Sequence, residues 1–338
     1  VVRSTVGGII ASYNQAAFIE EAVASLAHQV DEVVVVDDHS SDDTALRVTN
    51  LRLANVRLIS LAQQGGVSAA FNRAVEESSA EILLIQGGDD RSLPGRAATQ
   101  RRALDDSGVA LAVSTPAIMG SDGVPLPSLT AQEFAPPELN QDPLAKLFFS
   151  GNFICAPSAA MRRADYLRWG GFAVGVDLLQ DYGLWLNAVS HGHLVWSHDP
   201  LVVYRKHPGN TSRSYVGIDS VRRRRHAAER EYLLSSFVES ADSAVVSRLA
   251  AHAGLGVDLG SPDAVDVGRA LVMLSHGERA VQRRGLHLLF GLVGKQTGAE
   301  AVRAAGVGKV ELDSFAQMVD HDATGDINRA LRVAGETS

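Results

Sequence analysis

One cysteine, Cys155, is present in 338 residues. No intrachain disulfide can form, a zinc site built from cysteines is excluded, and a reducing compartment is the simplest reading. There is also no cationic excess. Against 39 Asp and Glu stand 31 Lys and Arg, a formal net charge of −8. A surface that tracks phosphates needs surplus positive charge, so general nucleic-acid binding is not expected. No stretch approaches the roughly 18 uncharged apolar residues of a spanning helix. The opening Val-Val-Arg lacks the basic start, apolar middle and small-residue cleavage site of a signal peptide. The expectation is a soluble, cytoplasmic protein. With 46% apolar and 21% charged residues, it has the composition of an ordinary globular chain, long enough for two domains.

What is present is alternation. Val6 to Ala11 reads as a buried strand that ends at Ser12-Tyr13-Asn14, and Phe18, Ile19, Ala22, Val23 and Leu26 follow at helical spacing. Val33 to Val36 is a β-branched run too short for a helix, and it stops at Asp37-Asp38. Ser40 with Asp43 has the pattern of a capping box before a helix through Leu46 and Val48. Val56 to Leu61 predicts a third strand, Gly65-Gly66 a turn, Ala69 to Glu77 a helix and Ile82 to Ile85 a fourth strand. Four alternations of this kind predict an α/β fold with a mostly parallel sheet flanked by helices. From Pro125 to Pro143 the composition shifts to Pro, Gln and Ser, as in a linking loop, and Leu201 to Tyr204 reads as a further strand. Beyond Ser214 the pattern is helical: Val221 to Phe237, Ala244 to Ala253, Ala264 to Leu274, Arg279 to Val293 and Ala299 to Ala304. The expected division is 1–214, with halves at 1–115 and 116–214, followed by a helical domain over 215–338.

In open parallel sheets ligands bind beyond the carboxyl ends of the strands. Ser12-Tyr13-Asn14, Asp37-Asp38 and Asp89-Asp90 all follow strand-like runs and would meet on one rim. An aromatic ring and carboxylates there suit a nucleotide base and a divalent cation. Phosphates would need such a cation as a bridge, and oxygen ligands favour Mg²⁺ or Mn²⁺. Neither a phosphate-loop pattern nor Gly-x-Gly-x-x-Gly after the first strand occurs, and Gly7-Gly8 lies inside that strand.

The segments Ile9 to Asn14, Val33 to Thr44, Gly65 to Ala70, Gly87-Gly88-Asp89-Asp90 with Pro94, Gly170-Gly171-Phe172, Gln180-Asp181-Tyr182 with Trp185, and Tyr204 to Pro208 occur in the order and spacing of one family. Over residues 6–212 the sequence resembles the family 2 glycosyltransferases, which have the GT-A fold. The resemblance implies an inverting transferase that moves a sugar from a nucleotide-sugar donor, with uridine (UDP) or thymidine (TDP) diphosphate favoured, to a saccharide, lipid, protein or small-metabolite acceptor. It implies Mn²⁺ or Mg²⁺ as cofactor. Tyr13 would stack on the donor base, the backbone near Ala11 would contact it, and Asp38 would accept a hydrogen bond from it. Gly66 falls in a donor-binding segment. Asp89, at the last position of the family's Asp-x-Asp, would ligate the metal, with His207, and less directly Asp90, as further ligands. Asp181 matches the general base. Gly87 replaces the first acid of Asp-x-Asp, Gln180 the acid before the base, and Phe71 an arginine found in many members.

Each of these residues also has a plainer reading. Asp37-Asp38 suits a turn, Asp90 and Asp181 suit helix caps, Tyr13, Trp169 and Trp185 suit packing, and His207 suits a surface position. The run Arg222 to Arg225 suits a solvated helix face, or alternatively an acidic carrier or a lipid headgroup at a membrane surface. A catalytically silent GT-A domain and a nucleotidyltransferase are the rival functions, and the helical region could also pair subunits.

Overall fold

A computed structural model of the chain describes residues 3–127, 134–138, 140–210 and 220–320. It divides into two compact units, Val1–Pro143 with Asn152–Arg223, and Leu144–Gly151 with Arg224–Ser338. The expected boundary at 214 and part of the Pro125–Pro143 link lie outside the described residues.

The first unit opens with β1 (Val6–Ser12), α1 (Ile19–Ala27), β2 (Glu32–Asp37), α2 (Thr44–Asn50), β3 (Val56–Ser60), α3 (Val67–Glu77) and β4 (Ile82–Gly87). There follow β5 (Arg91–Ser92), α4 (Arg96–Leu104), β6 (Val109–Ser114), β7 (Ala117–Gly120), β8 (Ala160–Arg162), α5 (Arg163–Arg168), α6 (Gln180–His191), β9 (His193–Ser197) and β10 (Val202–Lys206). Seven strands form one sheet in the order β3-β2-β1-β4-β8-β6-β9. The four strands anticipated from alternation pair in parallel, and β8 enters antiparallel between β4 and β6. A second sheet, β5-β10-β7, lies beside it in the chain's topology. The apolar positions of α1 (Ile19, Ala22, Val23, Leu26) are fully buried, and Ile19, Val23 and Leu26 join Val33, Val35, Ile82 and Leu84 in one core. That stripe follows directly from its i, i+3, i+4, i+7 spacing.

The capping box expected at Ser40 and Asp43 does not form. The Ser40 hydroxyl instead donates to Asp37 Oδ1 at 2.5 Å, and Asp42 accepts from the Thr44 amide at 3.0 Å. A short polar side chain beside a strand end finds its own turn before it finds the helix start.

The second unit is helical: α7 (Ser220–Ser240), α8 (Ser243–His252), α9 (Pro262–Leu274), α10 (Arg279–Val293), α11 (Gln296–Ala304) and α12 (Lys309–Asp320). The last was not anticipated from the sequence, although Leu312, Phe315, Ala316 and Val319 give it an apolar face. The helix starts are marked by Asp242, which accepts from Val245 N, and by Ser261, which accepts from Ala264 N and is followed by Pro262. Val267, Leu271, Leu274, Leu289 and Phe315 are at the centre of its core. Gly285 is where α9 and α10 meet: a methyl group there would sit 2.6 Å from the Ala270 carbonyl and 2.8 Å from Met273 Cβ. Gly285→Ala should therefore cost about 1–3 kcal/mol through overpacking, read as a lower melting temperature. Of the basic run, Arg223, Arg224 and Arg225 are exposed, and Arg225 pairs with Glu229 at 2.8 Å.

Candidate active site

Because β1 is flanked by β2 and β4, the ends of these three strands are neighbours. Ser12 lies opposite Asp37 and Ala11 opposite Gly87. The rim anticipated from the sequence is formed. The loops beyond β1 and β2 are laced together: Asn14 N donates to Ser40 Oγ at 2.9 Å, Ser41 N to Asn14 Oδ1 at 2.8 Å, and Gln15 N to Thr44 Oγ1 at 2.8 Å. On this platform Tyr13 stands 44% exposed, while Ala11 beneath it is buried. A ring left open on a fixed loop is available for stacking and is not packed into the core.

Asp38 is buried, and its two carboxylate oxygens accept from the amides of Gly65 at 2.6 Å and Gly66 at 2.9 Å. One acid thus ties the end of β2 to the turn that opens α3. A carboxylate offers about four lone-pair sites, so each oxygen retains one. Phe71, where many family members carry arginine, is buried and packs edge-on to Phe172 at 5.2 Å.

Asp89 lies at the centre of a second group. Its Oδ2 accepts from His207 Nε2 at 2.8 Å and from Asn210 Nδ2 at 3.2 Å. His207 Nδ1 accepts from the Gly209 amide at 3.1 Å, so the proton of the neutral ring is on Nε2. For Nε2 to bind a cation, that proton has to leave, and the bond to Asp89 opens. Arg205, almost fully buried, donates from Nε to the Asp89 carbonyl at 2.9 Å, pairs with Glu21 at 2.6 Å and lies over the Phe18 ring. The Arg205 amide donates to Asp90 Oδ1 at 3.0 Å, which fastens β10 to the end of β4. Burial first, then the neighbouring Asp89 charge, push the Asp90 carboxyl well above the usual range. The fully buried Arg96 acts against this, and its own pKa is lowered by burial to about 10. Arg205 and Asn210 were not singled out from the sequence. Their positions two and three residues from His207 are the only local sign of them.

Gly87 explains its own departure from the family pattern. A Cβ there would come within 2.6 Å of both Asp89 Oδ1 and Asp90 Oδ2. The two acids occupy the space that a first Asp would need. Gly87→Ala should displace both carboxylates and lower kcat for donor hydrolysis by about tenfold or more, with the melting temperature little changed.

Asp181 lies in the first turn of α6. Asn152 Nδ2 and Trp185 Nε1 donate to its Oδ2 at 3.0 and 3.1 Å. Burial raises its pKa above the ordinary value, and these bonds, with the backbone amides of the first turn, pull the other way. Trp185 is fully buried, as its packing reading implied, and Trp169 is half-buried. The buried thiol of Cys155 feels the charges of both Asp90 and Asp181, so the two acid groups share one neighbour. Asp89, Asp90 and His207 are in one cluster and Asp38 and Gly66 in another, while Asp181 has contacts of its own.

Among the described residues no three His, Cys, Asp or Glu side chains converge as a ready metal site. Asp89 Oδ1 accepts from no side chain among the described residues, and His207 is adjacent. Such a pair fits a hard divalent ion whose other ligands are diphosphate oxygens and water.

An open parallel rim with an exposed aromatic ring, buried acids and a helix-borne carboxylate defines a GT-A-type fold, and comparison with known proteins agrees. Residues 9–169 match the family model for glycosyl transferase family 2. The Uncharacterized protein MT1568 of Mycobacterium tuberculosis (strain CDC 1551 / Oshkosh) is 28% identical over 239 residues, 67% of this chain and 73% of that protein. The succinoglycan biosynthesis protein ExoO of Rhizobium meliloti (strain 1021) is 31% identical over 130 residues, 38% of this chain and 37% of that one. S. aureus TarS 1–349 in complex with UDP-GlcNAc aligns with a TM-score of 0.57 and 19% identity, covering 98% of this chain and 91% of its own. The mannosyltransferase PcManGT from Pyrobaculum calidifontis, in complex with GDP-Man and Mn²⁺, aligns at 0.50 and 19%, covering 100% and 87%. At such identities the solved structures establish the fold. Over residues 9–169 the resemblance to the family 2 glycosyltransferases is thus supported.

Proposed function

We propose that the protein is an inverting glycosyltransferase that uses a UDP or TDP sugar and a divalent cation, Mn²⁺ or Mg²⁺. The observation that carries this reading is the pairing of Asp89 with His207 beyond the end of β4, on the rim that also presents Tyr13; Asp181 is a separate buried acid that shares the neighbour Cys155 with Asp90. In this reading residues 1–115 hold the donor and 116–214 the acceptor. Tyr13 stacks on the base, the Ala11 backbone contacts it, and Asp38 accepts from its imide N–H with a remaining lone pair. Gly66 fixes that acid from behind. Asp89 and His207, the latter with its ring proton moved from Nε2 to Nδ1, would hold the cation, with Asp90 a secondary ligand. When bound, the cation offsets the charge that develops on the leaving diphosphate.

Asp181 takes the proton of the attacking acceptor group. A new bond forms from the acceptor to the anomeric carbon as the carbon–oxygen bond to the diphosphate breaks on the opposite face, and the electron pair leaves with the diphosphate. The anomeric configuration inverts, and the proton passes from Asp181 to solvent. A base whose pKa burial has raised is a stronger proton acceptor than an ordinary aspartate.

Among the described residues no helix is long and apolar enough to cross a membrane. The lone buried Cys155 suits a reducing compartment, and we assign the activity to the cytoplasm. Phe71 favours one rival, a domain that binds nucleotide without turnover, since the family's arginine contact is missing. Release of free sugar from UDP-glucose, UDP-N-acetylglucosamine or TDP-glucose in the presence of Mn²⁺ supports the transferase. Nucleotide binding with no turnover of any donor supports the silent domain.

A further inference from the structure

Asp181 takes its side-chain hydrogen bonds on one oxygen only. Both side-chain donors, Asn152 Nδ2 and Trp185 Nε1, fall on Oδ2, and no side chain among the described residues donates to Oδ1. Neither donor is free to turn. Trp185, one helical turn after Asp181, is fully buried and packs edge-on to Phe172 at 6.1 Å. The Asn152 amide is fixed in one of its two orientations, because its Oδ1 accepts from the Ile154 backbone N–H at 3.0 Å. A flipped amide would lose that bond and direct its carbonyl oxygen at the carboxylate. The local turn from Asn152 to Ile154 thus decides that an N–H, and never a lone pair, faces the acid. The titratable neighbour is Cys155, whose thiol burial pushes well up, so that it stays neutral.

We propose that Asn152 is a positioning residue for the transfer reaction: with Trp185 it pins Oδ2 of Asp181 and leaves Oδ1 as the oxygen that takes the acceptor proton. This rests on Asp181 being the base. The syn or anti lone pair presented to the acceptor is then set by an amide 29 residues upstream, and the acidity of the base by the number of donors on its other oxygen. A hydrogen bond to the ionised form favours that form, so loss of the Asn152 donor makes Asp181 a group that protonates at higher pH.

The test uses the full-length protein, with UDP-glucose, UDP-N-acetylglucosamine or TDP-glucose hydrolysis in Mn²⁺ as the activity. Asn152→Ala should lower kcat by about tenfold and move the acid limb of the kcat–pH profile upward by about half to one unit, with KM unchanged. Asn152→Ser, which retains a donor, should restore part of both, and Trp185→Phe should move the limb in the same direction. Should Asn152→Ala fold poorly, Asn152→Ser and Trp185→Phe still report the limb. The Asp181 titration, read by carboxyl NMR as the difference from Asp181→Asn, reports it without turnover. An acid limb and a titration that stay in place in Asn152→Ala, whatever happens to kcat, would overturn the proposal. If Asp181→Asn itself retains full activity, the assignment of the base fails instead, and the two failures are distinct.

Discussion

Asp181→Asn should abolish sugar transfer and donor hydrolysis, lowering kcat by about a thousandfold, while melting temperature and nucleotide affinity hold. The substitution is close to isosteric. An asparagine carbonyl can accept from Asn152 Nδ2 and Trp185 Nε1, as Oδ2 of Asp181 does at 3.0 and 3.1 Å, so both side-chain bonds to this position are kept. What disappears is the capacity to accept a proton. An amide remains neutral across the working range, and the attacking hydroxyl then has to shed its proton to water. In the native enzyme, burial raises the pKa of this carboxyl. The activity should therefore fall on acidification at a higher pH than an ordinary aspartate would give, and the fall should vanish with the base. A kcat unchanged in Asp181→Asn would remove the proton acceptor from the mechanism.

Asp89→Asn should be nearly as severe for a different reason. Asp89 receives two donors on Oδ2 and an arginine on its carbonyl, so the neutral variant can stay in place. In the proposed mechanism, however, its charge is what draws a divalent cation to the rim. We expect metal-dependent donor binding to weaken by at least about a hundredfold, and the response of hydrolysis to Mn²⁺ concentration to move to correspondingly higher values. Isothermal titration with Mn²⁺ and UDP would read this directly. The Asp90 carboxyl, raised partly by the Asp89 charge, should at the same time return toward the ordinary range, which carboxyl NMR would register. Equal Mn²⁺ dependence in both proteins would place the cation elsewhere.

How much of this could be read from the chain alone depended on the range of the interaction. The strands β1 to β4 and helices α1 and α3 were legible, because their signals, apolar runs and 3.6-residue stripes, are local. So was the rim, since the polar groups that end β1, β2 and β4 are brought side by side by one topological rule. The antiparallel strand β8 was not legible. Three residues carry no periodicity, and their place between β4 and β6 is fixed by pairing across some 50 to 80 positions. The same holds at the site. Asn152 reaches Asp181 across 29 residues, and Arg205 reaches Asp89 across 116. Nothing near Asn152 in sequence announces the contact, and Arg205 has only its place two residues before His207. Where local reading failed outright, at Ser40 and Asp43, the competing partner was also local: Asp37, three residues back, took the hydroxyl that was expected to cap α2.

Thermal unfolding of the protein against a panel of nucleotide sugars, with and without Mn²⁺, tests the donor site most directly. A ligand raises the melting temperature only by binding the folded state in preference to the unfolded one. A UDP or TDP sugar should raise it in Mn²⁺, far less with the cation chelated, and not at all at the same concentration in Asp89→Asn. A melting temperature that no nucleotide sugar moves, at millimolar concentration and with the cation present, would contradict the existence of a donor site on this rim.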